Sequence, residues 1–289
     1  MTLPVPVPKD LPQQIDRALE EDIGSGDLTA ALVSADAAGR AATITRERAI
    51  ICGIPYVDAT FARIDPKVRI EWQVREGAAV AADELLFRMA GPARALLTGE
   101  RTALNCLQLL SGTATAAHAY AERLKGTACR LLDTRKTIPG LRSAQKYAVR
   151  VGGGQNHRMG LFDGILIKEN HIMAAGSIAS AVAAAKSTGT NVPVEVEVEN
   201  AGELRQAIAA GADIAMLDDF TLEALAEAVA INRGALRPLK LEASGGVTLD
   251  TIRTIAEIGV DYVSVGSITK HVRAVDLSTR FEWPKEPVS

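Results

Sequence analysis

Polar residues and glycines lie at or just after the ends of six short apolar segments that follow residue 125 of this 289-residue chain. In a β/α barrel the catalytic groups lie where strands run out into the following loops, so these residues would meet at one end of such a barrel. A charged residue after one strand is common in an ordinary loop, but six such ends together predict an active site. The residues are Asp133, Thr134, Arg135, Lys136, Lys168, Glu197, Asp218, Ser244, Gly245, Gly246, Gly266 and Ser267.

One carboxylate of this set lies in the alternating segment VEVEVE at 194–199. The strand period of two places the valines on one face and Glu195, Glu197 and Glu199 on the other. If helices cover the valines, at least one glutamate points into the barrel, where an unpaired carboxylate is costly. That side chain then needs a cation, a metal ion or ligand hydroxyls. The alternative interpretation is an edge strand whose glutamate face lies in water.

The glycines after the last two apolar segments have the composition of a phosphate-binding site. Glycine allows backbone N–H groups to approach an oxyanion closely, and the predicted helices that follow add partial positive charge. Barrel enzymes often bind phosphate at the loops after their last two strands. The segment GGGQNHR at 152–158 is also glycine-rich, but it has neither the Walker nor the Rossmann spacing.

The basic residues are concentrated between positions 130 and 171. This segment holds eight Lys and Arg against three Asp and Glu, a local charge of +5 in a chain whose net charge is −3. Such a segment predicts a site for a small anion, although a solvated basic face has the same composition. The candidate cations are Arg135, Lys136, His157, Arg158 and Lys168. Together with two carboxylates and a phosphate site, they predict chemistry that joins or splits an anionic, phosphorylated substrate.

The order of elements that must position these residues is that of an α/β protein. After residue 125, apolar runs at 129–133, 163–167, 192–198, 213–217, 239–243 and 261–265 alternate with helical patterns. This alternation predicts parallel strands with crossover helices. Six units are visible where a regular barrel has eight, so either the barrel is incomplete or further strands lie in less regular sequence. Before it, residues 40–89 predict a small mixed sheet and residues 99–124 a long helix.

Whole-chain composition excludes several classes of protein. With 47% apolar and 23% charged residues the chain is not disordered, and its three scattered cysteines predict reduced thiols in a cytoplasmic protein. No apolar run is long enough to predict a membrane span. The negative charge and 4% aromatic content argue against a nucleic-acid partner.

Seven segments together resemble the quinolinate phosphoribosyltransferase family, in order and without large gaps from about residue 20 to 275. They are GERTALNCLQLLSGTAT (99–115), DTRKTIPGLR (133–142), KYAVRVGGGQNHRMGLFDGILIKENHI (146–172), VEVE (194–197), MLDDF (216–220), EASGG (242–246) and VGSIT (265–269). The resemblance implies an incomplete, seven-stranded β/α barrel with an N-terminal α/β sandwich domain. We place the sandwich at 1–112, the barrel at 113–272, and at 273–289 a tail that packs on the N-terminal domain.

The resemblance also implies the reaction and its participants. Quinolinate would react with phosphoribosyl pyrophosphate (PRPP) and Mg²⁺ to give nicotinate mononucleotide, CO₂ and pyrophosphate, on the route to NAD. The substrate carboxylates would be bound by Arg101, Arg135, His157, Arg158 and Lys168. Lys136 would reach the pyrophosphate or those carboxylates. Glu197 and Asp218 would stabilise the transition state, hold the ribose hydroxyls and bind Mg²⁺. The 5′-phosphate would lie on Ser244, Gly245, Gly246, Gly266 and Ser267.

The family implies a homodimer with active sites shared between subunits, and higher assembly stays open. Arg101, with Arg46 as a further candidate, would reach the partner's substrate. Lys270 stands where some relatives carry histidine, so we assign it no role. Two alternatives remain. One is a related phosphoribosyltransferase for another heterocyclic acid, and the other is a barrel aldolase acting on phosphosugars, with Lys168 as its Schiff-base lysine.

Overall fold

The computed structural model describes residues 5–282. Its helices are α1 (Leu11–Ile23), α2 (Ile54–Ile64), α3 (Ala93–Leu124), α4 (Arg142–Val151), α5 (Glu169–Ala175), α6 (Ile178–Ser187), α7 (Ala201–Ala210), α8 (Leu222–Arg233), α9 (Ile252–Ile258) and α10 (Ser267–Lys270), with a 3-10 helix at Ala30–Leu32. Its strands are β1 (Ala38–Thr45), β2 (Ala49–Ile50), β3 (Arg69–Trp72), β4 (Ala79–Val80), β5 (Leu85–Pro92), β6 (Arg130–Leu132), β7 (Ile165–Ile167), β8 (Val194–Val198), β9 (Ile214–Asp218), β10 (Lys240–Ser244), β11 (Tyr262–Ser264) and β12 (Leu277–Glu282).

The chain forms two compact units. Of the described residues, the first unit takes in 5–118, 138–152 and 271–282, and the second takes in 119–137 and 153–270. Helix α4 therefore packs in the first unit, although its sequence lies between two strands of the second. No helix of the described chain combines the length and apolarity needed to cross a membrane.

The first unit is built on a four-stranded sheet in the order β12-β1-β5-β3. All its pairings are antiparallel, so the mixed sheet predicted here is wrong. Within the predicted sheet region, the apolar segment at 49–54 pairs only at β2. Gly53 turns the chain there at φ 118°, and α2 begins at the next residue with a proline in its first turn. The tail returns as β12 to pair with β1, and residues 283–289 of the predicted tail lie outside the described part.

Helix α3 begins at Ala93, six residues before its predicted start, directly after β5 ends on Pro92. Its buried residues recur with helical spacing and pack into two apolar clusters of the first unit. Leu96 and Leu107 join the cluster formed with the sheet, whereas Leu110 and Ala114 join residues of α1 and α4 in the other. This periodicity explains why the helix was predictable from the sequence.

The second unit contains a six-stranded parallel sheet in the order β6-β11-β10-β9-β8-β7. Its strands alternate with helices, which confirms the predicted incomplete barrel. A single parallel bridge between Gln155 and Leu132 stands where a seventh strand would lie beside β6. Among the described residues no ladder joins the Gln155 segment to β7, so the ring of strands is open there.

Strand β8 shows the predicted separation of valines from glutamates. Val194, Val196 and Val198 are buried, and on the opposite face Glu195 is only 3% exposed. Because β8 is paired with β7 on one side and β9 on the other, it is an interior strand and the edge-strand interpretation is wrong. The inward-pointing glutamate that the sequence required is therefore present.

Candidate active site

Charged side chains lie at the carboxyl ends of β7, β8 and β9, at the end of the barrel where enzymes of this architecture carry their active sites. Lys168 follows β7 directly, and its ammonium group forms an ion pair with Glu197 of β8. Asp218 ends β9 and is in register with Ser244 at the end of β10. Four of the predicted residues therefore fall at one end of the sheet, which we call the mouth.

The glycines of the mouth allow close approach by other parts of the chain, and Gly245 also adopts a left-handed backbone conformation. Gly245 has φ 90°, and a Cβ atom there would lie 2.8 Å from the backbone N of Asp219. At Gly266 a Cβ atom would lie 2.9 Å from Cδ of Lys136, so the side chain of Lys136 runs directly over this glycine. Ser267 begins α10 as predicted, but the loop after β10 continues to Thr251 before α9 begins.

Hydrogen bonds fix the main chain around Lys136. Its N–H donates to Oγ1 of Thr134 at 3.0 Å, and its carbonyl accepts from Oγ1 of Thr269 at 2.8 Å. Arg135 and Lys136 themselves are exposed. The main chain of Lys136 is therefore held on both sides, by its own loop and by α10.

The buried carboxylate of Asp133, which is 0% exposed, organises the segment 156–158. It accepts hydrogen bonds from Nδ2 of Asn156 at 2.6 Å and from the backbone N of His157 at 2.9 Å. Asp163 likewise accepts from the backbone N–H groups of residues 159 and 160. Two carboxylates thus hold the main chain of this segment, which is joined to a neighbouring strand by the single bridge between Gln155 and Leu132.

The imidazole of His157 lies between protein groups on both sides. Its Nε2 is 2.8 Å from Oε2 of Glu195 and 3.6 Å from Oε2 of Glu242, and its Nδ1 accepts from the backbone N of Arg158 at 2.8 Å. Oε1 of Glu195, both oxygens of Glu242 and Oγ of Ser264 are buried without a hydrogen-bond partner. Burial, and then the neighbouring Glu195, raise the pKa of Glu242 well above its usual range.

Within the described residues, one group of side chains has ligating atoms close enough to surround a metal ion, namely His157, Glu195 and Glu242. One atom from each of His157, Glu195 and Glu242 lies within 4.8 Å of the others. They border a cavity of about 370 Å³ that Arg158 and Tyr262 also line. Burial and the nearby Arg135 guanidinium lower the pKa of Arg158, whose cavity is also lined by the carboxylates of Asp163, Glu195 and Glu242.

Comparison with known proteins identifies the family. The model of the quinolinate phosphoribosyl transferase C-terminal domain matches residues 113–280, and that of the N-terminal domain matches residues 27–111. The chain belongs to the quinolinate phosphoribosyltransferase family.

Individual members of the family match almost the whole chain. A probable nicotinate-nucleotide pyrophosphorylase [carboxylating] of Bacillus subtilis is 41% identical over 272 residues, covering 93% of this chain and 92% of the relative. The Mycobacterium leprae nicotinate-nucleotide pyrophosphorylase [carboxylating] is 40% identical, covering 91% and 94%. The solved structure of the Francisella tularensis nicotinate-nucleotide pyrophosphorylase superposes with a TM-score of 0.91 at 48% identity, covering 96% and 98%.

Of the residues predicted to bind substrate, Arg101 is the one that lies in the first unit. Arg101 lies exposed on α3. Arg46 lies at the end of β1, where its Nη2 donates to Oγ of Ser278 at 3.2 Å. Lys270, which lies in the second unit, ends α10 and is exposed.

Sequence reasoning missed Glu242 as a member of the site and did not single out Glu195 from the three glutamates of its strand. The signal for Glu242 was present in LKLEAS at 239–244, because this strand has the same alternation as VEVEV. It places Leu241 and Ala243 on one face and Glu242 on the other, in register with Met216 of β9. A charged residue inside an apolar alternation marks an inward-pointing side chain in either strand.

Proposed function

We propose that the protein transfers the phosphoribosyl group of PRPP to quinolinate, with release of pyrophosphate and CO₂, to form nicotinate mononucleotide. The observation that carries this proposal is the placement of cations and carboxylates at one end of a parallel sheet in a chain of this family. A dianionic acid, a pyrophosphate and a developing cation would each meet a group of opposite charge there.

Quinolinate carries two carboxylates on adjacent ring carbons, so it needs several fixed cations. Arginine suits bidentate pairing with a carboxylate, and lysine supplies a point charge. Arg158 and Arg135 repel each other across a short distance, and this repulsion falls when an anion binds between them. We assign the two carboxylates to Arg101, Arg135, His157, Arg158 and Lys168.

PRPP fits the glycine loops after β10 and β11. Gly245 and Gly246 both have positive φ angles, and Gly266 leaves room for the chain of Lys136. Backbone N–H groups at Ser244, Gly245, Gly246, Gly266 and Ser267 would receive the 5′-phosphate. Lys136 would lie beside the pyrophosphate.

The reaction begins when the lone pair of the pyridine nitrogen attacks the anomeric carbon and the bond to pyrophosphate breaks. Since this nitrogen has a free lone pair, no strong base is required, and catalysis rests on position and electrostatics. Positive charge develops at the anomeric carbon. Glu197 and Asp218 would stabilise that charge and hold the ribose hydroxyls.

Decarboxylation follows on the same ring. The electrons of the bond to the 2-carboxylate remain at C2, beside the cationic ring nitrogen, and C2 then takes a proton as CO₂ leaves. Lys168 and the arginines keep the second carboxylate in place, so the nicotinate product retains one of the two anionic contacts of its precursor.

Mg²⁺ fits the donor set of the mouth, because it prefers carboxylate and phosphate oxygens. Glu197 and Asp218 would hold it together with the phosphates of PRPP. The ion would neutralise charge on the leaving pyrophosphate. Glu197 is already paired with Lys168, so this carboxylate can exchange one cation for another.

The assay that tests the function supplies purified protein with quinolinate, PRPP and Mg²⁺ and measures nicotinate mononucleotide and CO₂ by mass spectrometry. We expect product only when all three are present, and we expect the protein to turn over quinolinate far faster than nicotinate. A preference for nicotinate would favour the related phosphoribosyltransferase instead. If no nicotinate mononucleotide forms and borohydride traps a keto sugar on Lys168, the protein is an aldolase instead. The ion pair of Lys168 with Glu197 argues against an aldolase, since a charged lysine is a poor nucleophile.

We further propose a homodimer in the cytoplasm in which Arg101 of each chain serves the mouth of its neighbour. Two observations support an interface between subunits. The side chain of Arg101 is exposed, and the second unit exposes three apolar side chains that a partner subunit could cover, those of Leu161, Phe162 and Met173. Arg101→Ala and Lys136→Ala should each be nearly inactive. After subunit exchange, half the dimers are mixed and hold one intact site, so about a quarter of wild-type activity should return. Demonstrated exchange without recovery would show that Arg101 serves its own chain.

A further inference from the structure

The buried carboxylate of Glu195 has a fixed relation to the segment that carries Arg158. Oε2 of Glu195 lies 2.8 Å from Nε2 of His157, and Nδ1 of the same ring accepts the backbone N–H of Arg158 at 2.8 Å. One hydrogen bond on each side of the ring fixes its plane. Since Nδ1 is an acceptor, the ring proton lies on Nε2 and points to the carboxylate.

The two ring nitrogens are therefore both engaged with protein groups. This arrangement links the His157 ring to the pocket through the backbone of Arg158, in addition to the substrate contact proposed for His157. The Arg158 side chain is held in turn by Nη1, which donates to the carbonyl of Gly164 at 3.3 Å. A continuous set of contacts thus runs from Glu195 on a barrel strand to the guanidinium group at the pocket.

Support of this kind is needed because the segment has so few ladder hydrogen bonds. Its one bridge is that of Gln155 with Leu132, and no ladder joins residues 156–158 to a strand among the described residues. Asp133 holds the start of the segment through Asn156 and the backbone of His157. Glu195 holds the side-chain face of the same segment from the neighbouring part of the barrel.

We propose that Glu195 is a positioning residue for quinolinate binding, which it serves by fixing the His157 imidazole and through it the position of Arg158. The inference rests on the proposed function. Glu195 lies two residues before Glu197 on the same strand face, so one strand both supports the acid-binding pocket and carries a carboxylate of the mouth.

A metal ion held by His157, Glu195 and Glu242 is the other interpretation of the same cluster. Ligands about 2.0–2.1 Å from a tetrahedral zinc ion lie roughly 3.3 Å from one another. The Nε2–Oε2 distance of 2.8 Å is shorter than that and is the length of a hydrogen bond. The geometry therefore favours a direct contact, and metal binding becomes an outcome of the test.

The test compares Glu195→Leu, which has a similar volume and no acceptor, with Glu195→Gln, which keeps an oxygen that can accept from Nε2. Loss of a hydrogen bond to a charged group predicts a rise of about tenfold in KM for quinolinate in Glu195→Leu. KM for PRPP should stay within about twofold, and Glu195→Gln should recover most of the loss. Glu76→Ala, which removes hydrogen bonds in the first unit, is the control for general destabilisation and should leave both KM values unchanged.

A second measurement does not depend on turnover. In protein labelled with ¹⁵N-histidine, the ring of His157, assigned with a His157→Asn variant, should carry its proton on Nε2 in the wild type and lose that preference in Glu195→Leu. If the wild type does not use quinolinate, the proposed function fails while the ring measurement still judges the contact. An unchanged KM for quinolinate, equal rises in both KM values, or a doubly protonated ring in the wild type would overturn the proposal. So would binding of Zn²⁺ or Mn²⁺ alone that disappears in Glu195→Leu, because the cluster would then be a metal site.

Discussion

Two glutamates, one in each unit, have opposite surroundings. Glu76 in the first unit accepts hydrogen bonds from the backbone N–H groups of Gly53 and Ile54, at 2.8 and 3.0 Å, and from the hydroxyl of Tyr147 at 2.8 Å. Glu242 in the second unit is 0% exposed, and its oxygens make no hydrogen bond of ordinary geometry, although Ser264 and Glu195 lie beside them.

The difference separates a structural role from a functional one. Glu76 satisfies the free N–H groups at the start of α2, which the helix cannot satisfy itself, so its charge is compensated within the fold. Glu242 stands in a barrel layer that bulky apolar side chains would ordinarily fill, and it lowers the stability of the fold that holds it. A buried polar group without a partner indicates a site, whereas one with every partner present indicates a scaffold.

The largest effect is expected at the mouth. Glu197→Gln keeps the size of the side chain and removes the charge that we assign to the anomeric carbon, so kcat should fall by roughly a hundredfold or more, about 3 kcal/mol of transition-state stabilisation. The free energy of unfolding should change little. Steady-state kinetics and urea unfolding of the same preparation measure both quantities. Near-normal turnover would remove Glu197 from the mechanism.

The converse result is expected at Glu76. Glu76→Ala leaves three donors without their acceptor, and at about 1 kcal/mol each the free energy of unfolding should fall by about 3 kcal/mol. The kcat of the folded protein should stay at the wild-type value. Urea unfolding at pH 7 gives the first quantity, with Glu20→Ala on α1 as an exposed control. Lost kcat at unchanged stability would show that Glu76 itself contributes to catalysis.

The smallest effect is expected at Glu242, and it depends on pH. Burial raises the pKa of the folded carboxyl well above its ordinary value of 4.5. Above pH 4.5 the unfolded chain releases this proton more readily than the folded one, so the group lowers stability increasingly as pH rises towards the folded pKa. Glu242→Gln removes that penalty, and its stability relative to the wild type should be greater at pH 8 than at pH 5. A difference that is the same at both pH values would show that Glu242 is already compensated.

Much of the second unit could be predicted from its sequence because alternation and strand ends are local signals. The charges at the ends of the apolar runs lie at strand ends as expected, and the inward glutamate follows from VEVEV together with the β/α pattern that flanks it. The meeting of His157 with Glu195 could not be predicted in the same way, because it depends on the stagger between strands that are distant in sequence. Helix α2 was not predicted. It has 11 residues and follows a β-prone run directly, with only Gly53 between the two.

The missing ladder beside Gln155 has a consequence for how such an enzyme changes its substrate. A strand must direct successive side chains to opposite faces, so only every second residue can face a ligand. The stretch 156–158 is free of that constraint, since carboxylates rather than a neighbouring strand hold it. A substitution there leaves the register of the sheet unchanged. Its cost falls instead on the buried carboxylates of Asp133 and Glu195, which would lose their contacts with Asn156 and His157.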